Sequence, residues 1–155
     1  MPQMVRLTTH IPASPDKIWQ ELQTSRLLQY VARGLVRFVP AGGKAFPDVW
    51  TEGRYKAWLL LFGFFPIGWQ VIGLEFPPSD GQHKRLRDNG CGWLIRTWDH
   101  LITIAPEGEG TRYTDEVRID AGWLTVPVTL FARVFYAHRQ RRWLKLANSG
   151  FDYQG

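Results

Sequence analysis

Cysteine is all but missing from this chain. Cys91 stands alone in 155 residues, so no disulfide can close within it and no second thiol can join it on a metal. Long apolar runs are missing too. The longest, from Ala57 to Trp69, is broken by Gly63, Pro66 and Gly68 and falls short of the about 20 residues a spanning helix needs. The N-terminus has no basic start followed by an apolar core, so no secretory signal is read and the cytoplasm is the expected compartment. There is no Gly-x-Ser-x-Gly, no Cys with a nearby His and no glycine-rich strand-to-helix junction, which removes the serine-nucleophile, thiol, NAD and ATP classes. Neither a cofactor nor a metal is expected.

Negative charge is the scarcer sign: 19 Lys and Arg stand against 14 Asp and Glu, a net charge of +5. The cations are dispersed, however, without the stripe that nucleic-acid binding calls for. Their one cluster, Arg139, Arg141, Arg142 and Lys145, reads as the solvated face of a helix. No repeat, linker or low-complexity stretch divides the chain, so residues 1–155 read as one domain with room for a sizeable core.

What the chain has in excess is rings: eight Trp, nine Phe and five Tyr. Each can bury roughly 150–250 Å², generous for a domain of this size. Some of them therefore line a pocket or face something apolar.

Val5 to Ile11 alternates and predicts a first strand. Ser14, Pro15 and Asp16 supply an N-cap, a first-turn proline and a first-turn acid, and Ile18, Trp19 and Leu22 give the helix that follows its apolar side. A second short helix is predicted over Ser25–Val31, ended by Gly34. Strands are then predicted at Leu35–Val39, Trp50–Leu60, Gly68–Phe76 and Lys84–Asn89, the last closed by the Asn89-Gly90 turn signal. Leu94–Ile104 and Thr111–Ala121 make the clearest hairpin. A long amphipathic helix, Thr125–Asn148, closes the chain, with Thr125 as N-cap and Asn148-Ser149-Gly150 as the stop. The fold class is α+β: a curved antiparallel sheet of about seven strands wrapped on one long C-terminal helix, with two short helices after the first strand. A single helix across a curved sheet leaves space beneath it, so an internal cavity is expected.

With Ile104 opposite Thr111, His100 faces Asp115, Trp98 faces Val117 and Ile102 faces Tyr113. One face of the hairpin then holds Trp98, His100, Ile102, Ile104, Tyr113, Asp115, Val117 and Ile119, and the other is polar. On the closing helix, Leu130, Phe131, Val134, Phe135 and His138 share a side at helical spacing. These faces meet. The expected ligand-binding residues are Trp98, His100, Ile102, Tyr113 and Val117 from the sheet and Phe131, Val134, Phe135 and His138 from the helix.

Several polar residues have two readings. His100 and Asp115 are either an acid–base pair working near neutral pH or a satisfied core pair. Arg96 shares the face of Trp98, where it either fixes a carboxylate or phenolate at a pocket end or makes a salt bridge at the rim. Glu52 and Arg54 share a strand side with Trp50, Lys56 and Trp58; facing inward they anchor a head group, facing outward they are solvated. The run Leu59–Ile67 falls at a turn, where leaving large apolar side chains wet forgoes roughly 1.5–3 kcal/mol each. Leu61, Phe62, Phe64 and Phe65 are read as a flexible lip over the cavity mouth, hinged at Gly63 and Gly68. The competing reading covers this loop with the chain's own helix, a homodimer mate or a membrane surface.

The run Ile11-Pro12-Ala13-Ser14-Pro15-Asp16-Lys17-Ile18-Trp19 resembles the opening of the first helix in the START/Bet v-like superfamily, also called SRPBCC. Trp98-Asp99-His100, with Gly110-Thr111-Arg112-Tyr113-Thr114-Asp115-Glu116-Val117, resembles its last hairpin. The order of elements matches that superfamily's helix-grip fold over nearly the whole chain. The resemblance implies a deep hydrophobic pocket between helix and sheet. Its members include lipid and sterol carriers, coenzyme-Q-binding proteins, plant hormone and allergen proteins and polyketide cyclases, so it speaks to fold more than to activity. The leading expectation is binding or transport of a hydrophobic small molecule: a lipid, an isoprenoid quinone or a polyketide-like compound. The second is a polyketide cyclase or dehydratase-type enzyme in which His100 and Asp115 move protons. The third is a docking module that touches a membrane or a protein through residues 59–67 and the basic helix.

Overall fold

Alternation of side chains builds the sheet from its first strand. In β1 (Gln3–Ile11), Val5 and Ile11 are fully buried while Met4, Arg6 and His10 point to solvent. The structure, a computed structural model, describes residues 2–154. Ser14 accepts the Lys17 backbone N–H and starts α1 (Pro15–Leu22) with Pro15 in its first turn. Thr24 does the same for Leu27 at the head of α2 (Ser25–Ala32). The chain then meanders through β2 (Val36–Pro40), β3 (Gly53–Leu61), β4 (Phe65–Glu75), β5 (Lys84–Gly92), β6 (Thr97–Glu107) and β7 (Gly110–Asp120). A short 3-10 helix (Gly122–Leu124) leads into α3 (Thr125–Asn148). All strands join one antiparallel sheet of order β1-β7-β6-β5-β4-β3-β2, and α1 and α2 carry the chain from one edge to the other. The result is the helix-grip arrangement, a curved seven-stranded sheet closed by one long C-terminal helix. Among the described residues no helix is long and apolar enough to cross a membrane.

The β6–β7 hairpin keeps the expected faces but shifts the expected register. Ile104 pairs with Tyr113, Ile102 with Asp115, His100 with Val117 and Trp98 with Ile119. The strands run on through Pro106 and Glu107, so the turn shrinks to Gly108 and Glu109 and the pairing moves by an even step. Such a step leaves every side chain on its own face, and all eight residues of the inner set are buried.

Other expectations are corrected. Asn89-Gly90 does not turn: both lie within β5, where a Cβ on Gly90 would collide with the Val71 carbonyl oxygen. Trp50 precedes β3, buried between Phe46 and Tyr55, and Leu94 precedes β6. Glu52, Arg54, Lys56 and Trp58 are exposed, so their side faces outward. Leu124, not Thr125, is the N-cap of α3. Thr125 Oγ1 instead accepts the Ala121 N–H and donates to the Gly122 carbonyl, tying the 3-10 turn to the helix.

The largest correction concerns which side of α3 is buried. Its inward stripe runs Thr125, Thr129, Ala132, Phe135, Tyr136, Arg139, Gln140, Trp143 and Leu146, while Leu130 and Val134 are 59% and 57% exposed. Polar residues interleave the stripe, so a search for apolar spacing settles on a neighbouring face. Arg139, read from sequence as solvated, lies within the stripe at 5% exposure. Arg141 and Lys145 do face solvent, and Arg142 lies with its guanidinium over the Tyr30 ring.

Candidate functional site

A cavity of about 320 Å³ lies between the sheet and the first half of α3. β2 and β3 contribute Val36, Phe38 and Leu59, β4 contributes Ile67 and Trp69, and the β5–β6 connection contributes Trp93, Leu94 and Ile95. Trp98 and, from the helix side, Leu124, Pro127, Val128, Phe131 and Phe135 complete the wall. Among the described residues Gln70 is the one amide side chain in this lining. Exposed Trp93 and Leu94 form part of the rim. Trp93 lies across β4 because residue 68 is glycine, where a Cβ would come within 3.0 Å of the indole.

Two smaller spaces with polar groups in their walls lie next to this cavity. Phe38, Gln70, Trp98 and Phe135 also border a smaller chamber of about 30 Å³, whose other walls include Asp88, His100, Tyr136 and Arg139. A third space of about 50 Å³ follows along Leu28, Ile72, Asp88, His100 and Arg139 to Leu86 and Ile102. Shared walls make these neighbouring spaces, apolar at the mouth and edged by polar groups within.

Those polar groups are held by a short network. His100 Nε2 meets Asp115 Oδ1 at 2.6 Å, and Gln140 Nε2 donates to Asp115 Oδ2 at 3.0 Å and to the Leu7 carbonyl at 2.9 Å. Burial pushes the His100 pKa down, against the Asp115 bond that raises it, so the imidazole is neutral with its proton on Nε2 toward the carboxylate. Asp88 Oδ1 accepts the Gly73 N–H at 2.8 Å, and burial pushes its carboxyl up to about 7 against that bond. Trp98 Nε1 donates to the Tyr136 hydroxyl at 2.8 Å. Burial holds the Tyr136 and Tyr113 phenols well above their ordinary range.

Arg139 is different. Among the described residues no carboxylate lies within ion-pair distance of its guanidinium, and its buried Nε has no hydrogen-bond partner. The guanidinium sits beside the Phe135 and Tyr136 rings, 5.7 and 5.4 Å from their centroids. The Tyr113 hydroxyl lies close by and favours the charged guanidinium.

Trp98, Phe131 and Phe135 border the main cavity, and His100 and Ile102 border the inner spaces. Tyr113 and Val117 are buried away from these linings, Tyr113 against Trp143 with centroids 5.3 Å apart. Val134 faces outward. His138 Nε2 donates to the Arg33 carbonyl at 2.7 Å, and Arg96 is exposed ahead of β6 with its backbone N–H on the Asp120 carbonyl. Leu61, Phe62, Phe64 and Phe65 form the β3–β4 turn and its flanks, outside the main lining, with Phe64 74% exposed. Phe62 holds a φ of +56° there, a left-handed conformation that a bulky residue rarely adopts. The sequence reading missed Phe38, Leu59, Trp93, Val128, Asp88 and Arg139. Arg139 carried a signal in its spacing, one turn after Phe135 and one turn before Trp143, but its charge masked it.

Residues 9–146 match the family model described as "Domain of unknown function (DUF8410)". No curated protein matches the chain in sequence. Solved structures do match its fold. A START superfamily protein from Mycobacterium smegmatis is 13% identical with a TM-score of 0.66, covering 94% of this chain and 97% of its own. The ZhuI aromatase/cyclase from Streptomyces sp. R1128 is 10% identical with a TM-score of 0.61, covering 100% and 99%. A truncated norcoclaurine synthase from Thalictrum flavum is 14% identical with a TM-score of 0.58, covering 94% and 93%. At these identities the likeness is one of fold: the chain has the START-like architecture.

Proposed function

We propose that this chain, which belongs to the DUF8410 family, binds a hydrophobic small molecule in the space between the sheet and α3. The observation that carries this reading is the cavity of about 320 Å³, walled by rings and aliphatic side chains. Apolar surface left wet forgoes roughly 25 cal/mol per Å², and an apolar guest that fills the space recovers it. The START superfamily protein that shares the fold supports the same reading. Native mass spectrometry of gently purified protein and fluorescence titration with the neutral apolar dye N-phenylnaphthylamine test it. A bound mass or saturable dye uptake is expected; a protein that carries nothing and takes up no dye sinks the proposal.

Exposed apolar side chains, Trp93 and Leu94 at the rim and others on turns outside the lining, support a route for loading. Phe62, Phe64, Phe65, Trp93, Leu94 and Trp123 are exposed large apolar residues, with Trp123 at 89%. Lys56 lies over the Trp58 and Trp69 rings, Arg33 and Arg37 share a surface recess with Phe62, and Arg96 is close to Gly122. Rings with adjacent cations suit transient contact with an anionic membrane. Co-sedimentation with anionic liposomes, weakening as salt rises, is the expected result.

A second reading has one specific observation behind it. His100 borders the inner spaces while its Nε2 is held by Asp115, the arrangement of an oriented proton carrier. An aromatase/cyclase also shares the fold. As an enzyme of the cyclase or dehydratase type, the protein would lose turnover in His100→Ala while still taking up dye; a carrier would show altered binding only.

A further inference from the structure

A cation that no carboxylate touches stands beside the inner spaces. A buried charge is ordinarily offset by a carboxylate in direct contact. Here Asp115 and Asp88 act on it only through space, because their oxygens are engaged elsewhere. Asp115 gives one oxygen to His100 and the other to Gln140, and Asp88 gives Oδ1 to the Gly73 N–H. Arg139 borders both inner spaces with its Nε unbonded, and among the described residues it is the only cationic side chain in the lining of either. Tyr136, in the same chamber wall, accepts the Trp98 N–H and makes no other hydrogen bond among the described residues, so its own proton is free to donate.

We propose that Arg139 and the Tyr136 hydroxyl form an anion subsite, and that the guest is an apolar acid. Its body lies among Phe38, Trp98, Phe131 and Phe135, and its single anionic group reaches the chamber bordered by Arg139. This inference rests on the cavity-binding reading above and names the ligand class for it. Guanidinium Nε and Nη hydrogens form a planar fork that matches a carboxylate. The chamber of about 30 Å³ exceeds the roughly 10–15 Å³ that one water needs, so a small head such as a carboxylate or a phenolate oxygen can enter it. The raised pKa of Asp88 helps, since near neutral pH much of that carboxyl is protonated and does not repel an incoming anion.

The test is displacement of N-phenylnaphthylamine by decanoate and by decanol, equal in chain length and different in charge, at constant ionic strength. Decanoate is expected to displace the dye at a concentration about tenfold lower than decanol. Arg139→Met, which keeps the apolar stem, should erase that preference while leaving dye and decanol binding in place; Arg139→Lys should keep part of it. Equal displacement by the two ligands in the wild type, or a preference that survives Arg139→Met, overturns the subsite and leaves cavity binding standing. Failure of the wild type to take up dye or either ligand overturns both. Should Arg139→Met fail to fold, the wild-type comparison and Arg139→Lys still decide.

Discussion

Trp98 and Tyr136 meet across the inner space, the indole Nε1 donating to the phenol oxygen at 2.8 Å with ring centroids 6.2 Å apart. Both side chains are buried, and both border the chamber where the apolar lining gives way to polar groups. The bond ties β6 to α3 at the depth where a guest's head would stop. It also orients the phenol, whose free proton is left for that guest.

Tyr136→Phe therefore leaves a buried indole N–H without an acceptor. Such an orphan costs about 1–3 kcal/mol, and urea unfolding should show a lower midpoint with an unchanged slope. An unchanged midpoint would mean that the indole finds another partner.

Asp88 gives the protein a pH signature. Its carboxyl is pushed up to about 7 in the folded state, mainly by burial. The folded form then keeps a proton that the unfolded chain releases near the ordinary carboxylate pKa. Stability contributed by this group is fully present below about pH 4 and lost as pH rises toward 7. Asp88→Asn keeps an oxygen for the Gly73 N–H and has no such dependence. Relative to that variant, the wild type should lose about 2 kcal/mol between pH 4 and 7, after allowance for the residue's remaining solvent contact. Parallel melting curves across that range would remove Asp88 as the cause.

Val128 borders the main cavity from the first turns of α3 and is only partly buried. Val128→Trp should fill part of that space and cut dye uptake by about tenfold or more, with stability changed by about 1 kcal/mol or less. Undiminished uptake would place the dye elsewhere on the molecule.

Phe62 is held at a positive φ in an exposed turn. Glycine adopts that conformation freely, so Phe62→Gly should raise stability by about 1 kcal/mol. If the ring serves membrane contact, the same variant should bind anionic liposomes more weakly. A gain in stability without any loss of liposome binding would make the ring's exposure irrelevant to attachment.

How much of this was legible in advance depended on which periodicity carried it. The hairpin faces were legible from the amino acids alone because strand side chains alternate with period 2. That rule is blind to an even shift in pairing, so Trp98, His100, Tyr113 and Asp115 were assigned to the inner face although their partners across the ladder differ. The helix start at Ser14 was legible for the same local reason, since the cap that makes it lies within a few residues, whereas the β6–β7 turn was read too wide.

The buried side of α3 was not local in that sense. Thr125, Thr129, Arg139 and Gln140 face inward because of what stands opposite them, including the Asp115 carboxylate and the Leu7 carbonyl. No spacing rule weights a charged residue as core, so Leu130 and Val134 took their place in the reading from composition. The cavity was beyond reach in a further way. Its volume is what remains when side chains from β2, β3, β4, β6 and α3 have settled against one another, a quantity set by three-dimensional fit. Amino-acid order settled the course of the backbone and the two faces of its sheet. Only assembly of those pieces decided where the empty space lies and that a guanidinium borders the chambers beside it, because both depend on partners distant along the chain.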